Sequence, residues 1–291
     1  MRLLNSGITV VGVDSFGALP QELLPFQKAE HFIFIPQDFV SATETLQACV
    51  NKMADQPSAL LHLAGMAGVD ACAANPAQAY GANVHLTWEV ARFCAQTRIN
   101  RCLLASTGYV YGSSKTLELV NETALLKCDS VYTATKIAAE HLLSVQARQH
   151  GFHAIIMRFS NVYGEGCSTK TVVGTILDQA RRGGSITVKD TSPVRDFVFI
   201  DDVAEAIERL LGVPLLGGAT AVNISTGIGT AIGELVGTVE ELVGQAPSLH
   251  RDGPDDFLVL DRTCLLRLTG WFPRTSIDRG LEKILSAKDI S

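Results

Sequence analysis

Short apolar runs alternate with longer amphipathic stretches over the first half of the chain. Five runs are rich in β-branched and aromatic residues and are continuous rather than alternating, which is typical of parallel strands covered on both faces. The predicted strands are residues 8–13, 31–35, 60–64, 101–105 and 153–159. The predicted helices are residues 42–54, 75–97 and 131–150. This alternation predicts a doubly wound α/β domain with a parallel sheet.

After Gly164 the pattern loosens and turn residues become frequent. Glycine pairs lie at 183–184 and 217–218, and five prolines are scattered between 193 and 273. We predict that residues 165–291 form a smaller, loop-richer α/β domain and that residues 1–164 form the doubly wound one. Part of 195–225 is expected to return to the first domain's sheet.

Composition narrows the class of protein. The chain of 291 residues is 47% hydrophobic and 19% charged, which excludes a disordered tail protein. With 24 Lys and Arg against 30 Asp and Glu, the net charge of -6 gives no electrostatic reason to expect a nucleic acid or a membrane surface as partner. No apolar run reaches the ~18 residues of a membrane helix.

The cysteines indicate a reducing compartment. There are seven, they are widely spaced, and no Cys-x-x-Cys occurs, so neither a disulfide framework nor a zinc site is favoured. The apolar start of the chain is interrupted too early for a secretory signal. We therefore predict a cytoplasmic protein without a metal site.

Two local patterns carry candidate chemistry. Tyr132 and Lys136 lie four residues apart in a predicted helix, which places both on one face. A lysine ammonium beside a phenol favours the phenolate and lowers the tyrosine pKa, so that the phenol can act as acid and base near neutrality. Ser106 and Thr107 follow a predicted strand, at the end of the sheet where doubly wound proteins bind ligands.

Nine short motifs follow one another through nearly the whole chain. They are VGVD at 11–14, HLAG at 62–65, NV at 83–84, STGYVYG at 106–112, YTATK at 132–136, RFSNVYG at 158–164, RDF at 195–197, DDVA at 201–204 and LTGW at 268–271. Their order resembles the extended short-chain dehydrogenase/reductase family, in particular its nucleotide-sugar epimerases and dehydratases. The resemblance implies a Rossmann domain that binds NAD and a smaller domain that binds a nucleotide sugar.

The resemblance also implies catalytic roles. Thr107 would hydrogen-bond the reacting sugar oxygen, and Tyr132 would be the general acid and base. Lys136 would lower the pKa of Tyr132 and bind the nicotinamide ribose.

Further positions are implied to bind the cofactor. Asp14 would accept hydrogen bonds from the adenosine ribose, and an acid there favours NAD over NADP. The other implied positions are Asp38 and Phe39 at the adenine, Leu63, Ala64 and Gly65 along the cofactor, Asn83 behind that loop, and Phe159 near the nicotinamide.

Three residues are implied to hold the nucleotide-sugar diphosphate: Asn161, Arg195 and Arg251. The planar fork of an arginine suits bidentate hydrogen bonds to phosphate oxygens. For Arg251 a solvated loop charge is an equal alternative. The resemblance further implies a homodimer formed through the helices at 75–97 and 131–150.

One departure from the family narrows the reaction. The dehydratases carry Asp-Glu directly after the catalytic threonine, whereas this chain has Gly108 and Tyr109. Dehydration is therefore disfavoured. We expect an NAD-dependent epimerase that works through a 4-keto intermediate; the alternatives are a ketoreductase of a deoxysugar nucleotide and a non-catalytic relative.

A second departure concerns the phosphate loop. The glycine-rich fingerprint should lie ~20 residues before the ribose-binding acid, and Asp14 leaves no room for it. Gly227, Gly229 and Gly233 do not replace it, because no strand-ending acid follows them at the required distance. We expect an N-terminally truncated Rossmann domain whose reading frame continues upstream for ~20–25 codons.

Overall fold

Parallel strands and their covering helices make up most of the computed structural model, which describes residues 1–53, 59–97, 99–214, 217–246 and 256–286. The strands are β1 (Val10–Val13), β2 (Phe32–Ile35), β3 (Leu60–His62), β4 (Arg101–Thr107), β5 (Leu119–Val120), β6 (His153–Phe159), β7 (Asn161–Tyr163), β8 (Val194–Phe199), β9 (Gly218–Ile224), β10 (Gly229–Ala231) and β11 (Phe257–Leu260). The helices are α1 (Arg2–Asn5), α2 (Phe39–Lys52), α3 (Val69–Ala74), α4 (Pro76–Tyr80), α5 (Leu86–Thr97), α6 (Val131–His150), α7 (Val172–Arg181), α8 (Ile200–Leu211), α9 (Ile232–Leu242), α10 (Thr263–Thr269) and α11 (Ile277–Ser286). A π-helical segment, Gly81–His85, joins α4 to α5, and 3-10 helices lie at Gln21–Phe26 and Gly108–Tyr111.

The chain divides into two compact units. The first unit comprises Met1–Ser106, Cys128–Ile156 and Pro214–Ala221, and the second unit comprises Thr107–Lys127, Met157–Val213 and Val222–Ser291. The predicted ligand-binding domains, 1–164 and 165–291, stay a prediction, because compactness does not test which segment binds which ligand.

The first unit is built on parallel strands. The order of the four-stranded sheet is β3-β4-β6-β9, and β3 runs parallel to β4 with Leu60 opposite Cys102. Nearly every residue of β4 and β6 is buried, which explains their continuous apolar sequence. Helices α2, α5 and α6 cover a core that includes Leu46, Val90 and Leu143.

Strands β1 and β2 form a separate parallel pair in the same unit. Val10 lies opposite Phe32 and Val13 opposite Ile35. Among the described residues the pair forms its own two-stranded sheet, and all four residues of β1 are partly exposed. Val11 still packs against the core of the unit.

The second unit contains a mixed sheet. Its order is β10-β8-β11-β5, with β7 also paired to β8; β10 runs antiparallel to β8, and β7 and β11 run parallel to it. Helices α7, α9 and α11 contribute Ile176, Leu235 and Leu281 to its core, together with Tyr163 of β7. Within the described ranges no helix has the length and apolar character needed to cross a bilayer.

Candidate active site

Helix α6 places Tyr132 and Lys136 in its first two turns. The helix begins with a capping box, in which the Ser130 hydroxyl accepts from the Thr133 amide at 3.1 Å and the Thr133 hydroxyl accepts from the Ser130 amide at 3.0 Å. Tyr132 and Lys136 are each only 8% exposed. The tyrosine ring packs with Cys72 and Ala79. Both predicted catalytic residues are thus held on one buried helix face.

Lys136 is fixed through its ammonium group. Nζ donates to the carbonyl oxygen of Ala105, near the end of β4, at 3.1 Å. Burial lowers the pKa of Lys136, and negative charge on Cys72 or Glu140 opposes that shift. The lysine charge is therefore directed at the end of β4 rather than at solvent.

Glu140 is a site neighbour that the sequence analysis missed. It is 2% exposed and accepts a short hydrogen bond from the Ser106 hydroxyl. It follows Lys136 by four residues, so Tyr132, Lys136 and Glu140 occupy successive turns of the same face. That spacing was the available signal, but a glutamate in a helix is usually solvent-exposed.

The loop after β3 is tied to the same helix by Asn83. The Asn83 amide nitrogen donates to the Met66 carbonyl and the Thr135 hydroxyl, each at 3.0 Å, and its oxygen accepts from the Met66 amide at 2.8 Å. A Cβ added to Gly65 would lie 2.7 Å from the Asn83 oxygen and 3.2 Å from Lys136 Nζ. The structure thus brings together Gly65, Asn83 and Lys136, three of the residues predicted to bind or support NAD.

These contacts fit the nicotinamide ribose of NAD. The close approach at Gly65 leaves no space for a side chain, and Leu63 is 54% exposed beside it. The Lys136 ammonium can donate to ribose hydroxyls. None of the described residues is assigned to the NAD diphosphate.

The residues predicted at the adenosine end lie near the β1–β2 pair. Asp14 directly follows β1, is exposed, and accepts a hydrogen bond from the Phe16 amide at 3.2 Å. Asp38 is the N-cap of α2, and its carboxylate accepts from the Ser41 amide at 3.0 Å. Hydrogen bonds from the Ser41 hydroxyl and the Ser41 amide lower the pKa of Asp38. Phe39 packs edge-on against Phe93 in the core, with ring centroids 5.7 Å apart. The cofactor roles of these three residues stay predictions.

His62, at the end of β3, is buried behind this loop. Its Nε2 lies 3.1 Å from the Thr87 hydroxyl, which itself donates to the Asn83 carbonyl at 2.6 Å. The Thr87 oxygen therefore accepts, and Nε2 carries the imidazole proton. Burial, reinforced by the charge of Lys136, lowers the pKa of His62 from 6.5 to about 4.

We expect His62 to make the protein less stable as the pH falls. The unfolded histidine binds a proton below pH 6.5 and the folded one only below about 4, so stability is lost across this window. The full loss is about 3 kcal/mol. Urea unfolding near neutrality and at about pH 4.5 should show a smaller loss of unfolding free energy in His62→Gln than in the unmodified chain.

The exposed His141 provides the matched control. His141→Gln should lose as much unfolding free energy as the unmodified chain over the same pH range. An equal loss in His62→Gln would show that His62 is not the group responsible.

In the second unit, a hydrogen-bond chain links Thr107 to Asn161. Thr107, 5% exposed, ends β4, and its hydroxyl accepts from the Tyr109 amide at 3.2 Å. The Tyr109 hydroxyl donates to the Asn161 amide oxygen at 3.3 Å, and the Asn161 amide nitrogen donates to the Asp196 carbonyl at 3.3 Å. Two predicted site residues are thus joined by Tyr109, a contact that the sequence analysis did not anticipate.

Phe159, the last residue of β6, lines a small cleft together with Gly108, Tyr109 and Asn161. Gly108 is closely packed, because an added Cβ would lie 2.7 Å from a Leu260 methyl group. A side chain at the position that holds an aspartate in the dehydratases would therefore require the buried Leu260 side chain to move.

Arg195 is held by an acid. Its guanidinium donates to the Asp256 carboxylate at 2.7 Å and to the Asp256 and Val194 carbonyls at 2.9 and 3.0 Å. Asp256 is its ion-pair partner. The Asn161 amide nitrogen donates to the carbonyl oxygen of the next residue, Asp196. Arg251, the other arginine predicted to bind phosphate, lies outside the described residues. In the described part of the chain no group of three or more His, Cys, Asp and Glu side chains is arranged to hold a metal ion.

Comparisons with known proteins show which family this chain is similar to. Residues 1–225 match the NAD dependent epimerase/dehydratase family. A probable UDP-glucuronate 4-epimerase of Rhizobium meliloti is 27% identical over 99% of this chain and 92% of its own length. A UDP-glucose 4-epimerase of Mycolicibacterium smegmatis is 28% identical over 97% and 91%. The solved UDP-glucose 4-epimerase of Thermus thermophilus, in complex with NAD, is 26% identical with a TM-score of 0.82, covering 99% of this chain and 94% of that structure.

These matches extend over most of the chain. They confirm the predicted Rossmann-type α/β fold, the resemblance to nucleotide-sugar epimerases and dehydratases, and NAD as the cofactor. The chain belongs to the NAD-dependent epimerase/dehydratase family of enzymes.

Proposed function

We propose that the chain is an NAD-dependent 4-epimerase of a nucleotide-diphospho-sugar and that it works through a 4-keto intermediate. The observation that carries this proposal is the pairing of Tyr132 with Lys136 on the buried face of α6, with Lys136 Nζ bonded to the Ala105 carbonyl at 3.1 Å. A phenol held one turn from a fixed ammonium is suited to move a proton to and from a sugar hydroxyl.

The proposed mechanism gives each site residue a defined role. Tyr132 removes the proton of the sugar 4-hydroxyl and returns it after the 4-keto sugar has turned over. Lys136 keeps the phenol acidic and binds the nicotinamide ribose. Thr107 hydrogen-bonds the 4-oxygen, and Asn161 contacts the diphosphate, a task shared with Arg195 and Arg251. When bound, NAD would accept a hydride from carbon 4 of the sugar and later return it to that carbon.

Packing at Gly108 supports epimerisation over dehydration. Elimination of water needs an acid beside the reacting sugar, and the two residues after Thr107 supply none. The Leu260 methyl group, 2.7 Å from a Cβ added at Gly108, would obstruct an aspartate there.

Product analysis tests the proposed reaction. We expect the chain, incubated with NAD and with UDP-glucose, UDP-glucuronate or dTDP-glucose in turn, to interconvert at least one with its 4-epimer, with no net change in NADH. Proton NMR of the anomeric region identifies the product. Absence of interconversion while NAD is bound would overturn the proposal, and stoichiometric NADH oxidation with a 4-keto sugar would favour the ketoreductase.

Two further properties stay predictions. A cytoplasmic location is supported by the seven cysteines, all of which are free thiols. A homodimer through α5 and α6 is supported by apolar side chains left exposed on both helices, Trp88 and Val145, each 40% exposed.

A further inference from the structure

Two side chains of helix α6 are bonded to two consecutive residues near the end of β4. Lys136 Nζ donates to the Ala105 carbonyl at 3.1 Å, and the Ser106 hydroxyl donates to the Glu140 carboxylate. Lys136 and Glu140 are four residues apart, so both bonds leave the same face of the helix. This part of β4 is thus fixed to α6 at a main-chain oxygen and at the neighbouring side chain.

The contact between Ser106 and Glu140 is shielded from water. The two residues are 5% and 2% exposed. Removing a carboxylate from water is unfavourable unless it gains hydrogen bonds and an opposite charge. Ser106 supplies a hydrogen bond, and Lys136 lies on the adjacent turn of the helix. Apolar side chains would fill a purely structural position at least as well, so packing alone does not account for an acid here.

Glu140 supplies the negative charge beside Lys136. The other titratable groups around this lysine in the described structure are Cys72 of α3, His62 of β3 and Tyr132 of α6. Burial raises the pKa of the Cys72 thiol, and burial lowers the pKa of His62 to about 4. Both side chains are therefore uncharged near neutrality, and the carboxylate of Glu140 is the counter-charge.

This negative charge acts on the protonation of Lys136. Burial lowers the pKa of Lys136, and the charge of Glu140 opposes that shift. The proposed mechanism needs the ammonium rather than the amine, because the positive charge keeps the Tyr132 phenol acidic. A lysine buried at this place without a counter-charge would release its proton more readily.

We propose that Glu140 is a positioning residue for the proposed reaction, in which it anchors the end of β4 through Ser106 and serves as the buried counter-charge of Lys136. The inference rests on the proposed function. Two substitutions separate the two parts of this role. Glu140→Gln removes the charge and keeps an oxygen that can accept from Ser106, whereas Ser106→Ala removes the hydrogen bond and keeps the charge.

The titration of Lys136 measures the effect of the charge directly. NMR of the lysine ¹³Cε atoms follows it in the full chain from about pH 7 to pH 11, with the signal assigned by its absence in Lys136→Met. Glu140→Gln should lower the titration midpoint by about 1 pH unit, as expected when one opposite charge is removed from the neighbouring turn. Ser106→Ala should leave the midpoint unchanged. The matched control, Glu44→Gln, removes an exposed acid on α2 and should also leave it unchanged.

Initial rates of epimerisation over the same pH range give a second readout. The fall of kcat at high pH should begin about 1 pH unit lower in Glu140→Gln, so that kcat above that point is about tenfold lower and kcat near neutrality is unchanged. Ser106→Ala should lower kcat by about tenfold at every pH without shifting the profile, because the ammonium is then held less firmly in place.

The outcomes separate this inference from the proposed function. An unchanged Lys136 titration in Glu140→Gln would overturn the inference whatever the rates show. A uniform loss of kcat at every pH in that variant would also overturn it, because a merely structural role gives this result. A Ser106→Ala chain with unchanged kcat would exclude the anchoring, and this arm decides if Glu140→Gln does not fold. A shifted titration in a chain that epimerises no nucleotide sugar would refute the proposed function while supporting Glu140 as the counter-charge.

Discussion

Replacing Tyr132 with Phe is expected to lower kcat for epimerisation by about 10²–10⁴-fold, the usual contribution of general acid–base catalysis. The substitution removes only the phenol oxygen. The ring, 8% exposed and packed with Cys72 and Ala79, remains in place. NAD affinity, nucleotide-sugar affinity and thermal stability should therefore stay close to those of the unmodified chain. Initial rates from NMR, with calorimetric titration of both ligands, measure these quantities separately.

The exposed Tyr80 provides the control, because it lies on a different helix, α4. Tyr80→Phe should retain full kcat. A Tyr132→Phe variant that keeps more than about a tenth of the activity would contradict the proposed role, since another group would then be moving the proton. A large fall in affinity with unchanged kcat would instead assign Tyr132 to binding.

Replacing Gly280 with Ala is expected to destabilise the second unit by about 3 kcal/mol, at the upper end of the usual cost of overpacking. The new Cβ would overlap the Tyr163 hydroxyl and lie 2.7 and 2.8 Å from two ring carbons. Tyr163 is 1% exposed, and its ring packs edge-on against Phe199 at 5.4 Å. Because the ring is buried, we expect helix α11 to shift away from it.

Urea unfolding monitored by the fluorescence of Trp271, which is buried in the same unit, measures this loss. A Trp88→Phe background removes the other tryptophan signal. Gly184→Ala is the matched control, because an added Cβ there has open space around it. A Gly280→Ala chain that unfolds at the same urea concentration as Gly184→Ala would show that the tyrosine ring yields easily.

Strand positions could be predicted from apolar runs wherever both faces of the strand are buried. Residues 153–159 form β6 as predicted. The predicted strand at 60–64 is two residues too long, because β3 ends at His62. Leu63 is exposed and belongs to the loop that Asn83 holds through the Met66 amide. The predicted helix at 75–97 is divided by the π-helical segment Gly81–His85, which also contains Asn83. Side-chain bonds to distant residues decide these details, and no local pattern encodes them.

The site shows the same division between local and distant information. The spacing of Tyr132 and Lys136 predicts a shared helix face, because helical geometry depends only on separation along the chain. The Tyr109–Asn161 bond joins residues 52 apart, and the Arg195–Asp256 pair joins residues 61 apart. Sequence spacing carries no information about such contacts, so Tyr109 and Asp256 could be recognised only in the folded chain.

Strands β1 and β2, each four residues long, are hydrogen-bonded to each other and form their own sheet within the described part of the chain. Elements that are partly exposed, as β1 is, and held by few hydrogen bonds can open locally. Such local opening costs less free energy than unfolding of the whole chain. Asp14, the acid proposed to hold the adenosine ribose, is attached to the end of β1. Only molecules in which β1 and β2 are paired would then bind NAD with the intrinsic affinity. The apparent affinity for NAD would be the intrinsic affinity multiplied by the fraction of such molecules. Cofactor binding and local order of β1 and β2 would thus be thermodynamically linked.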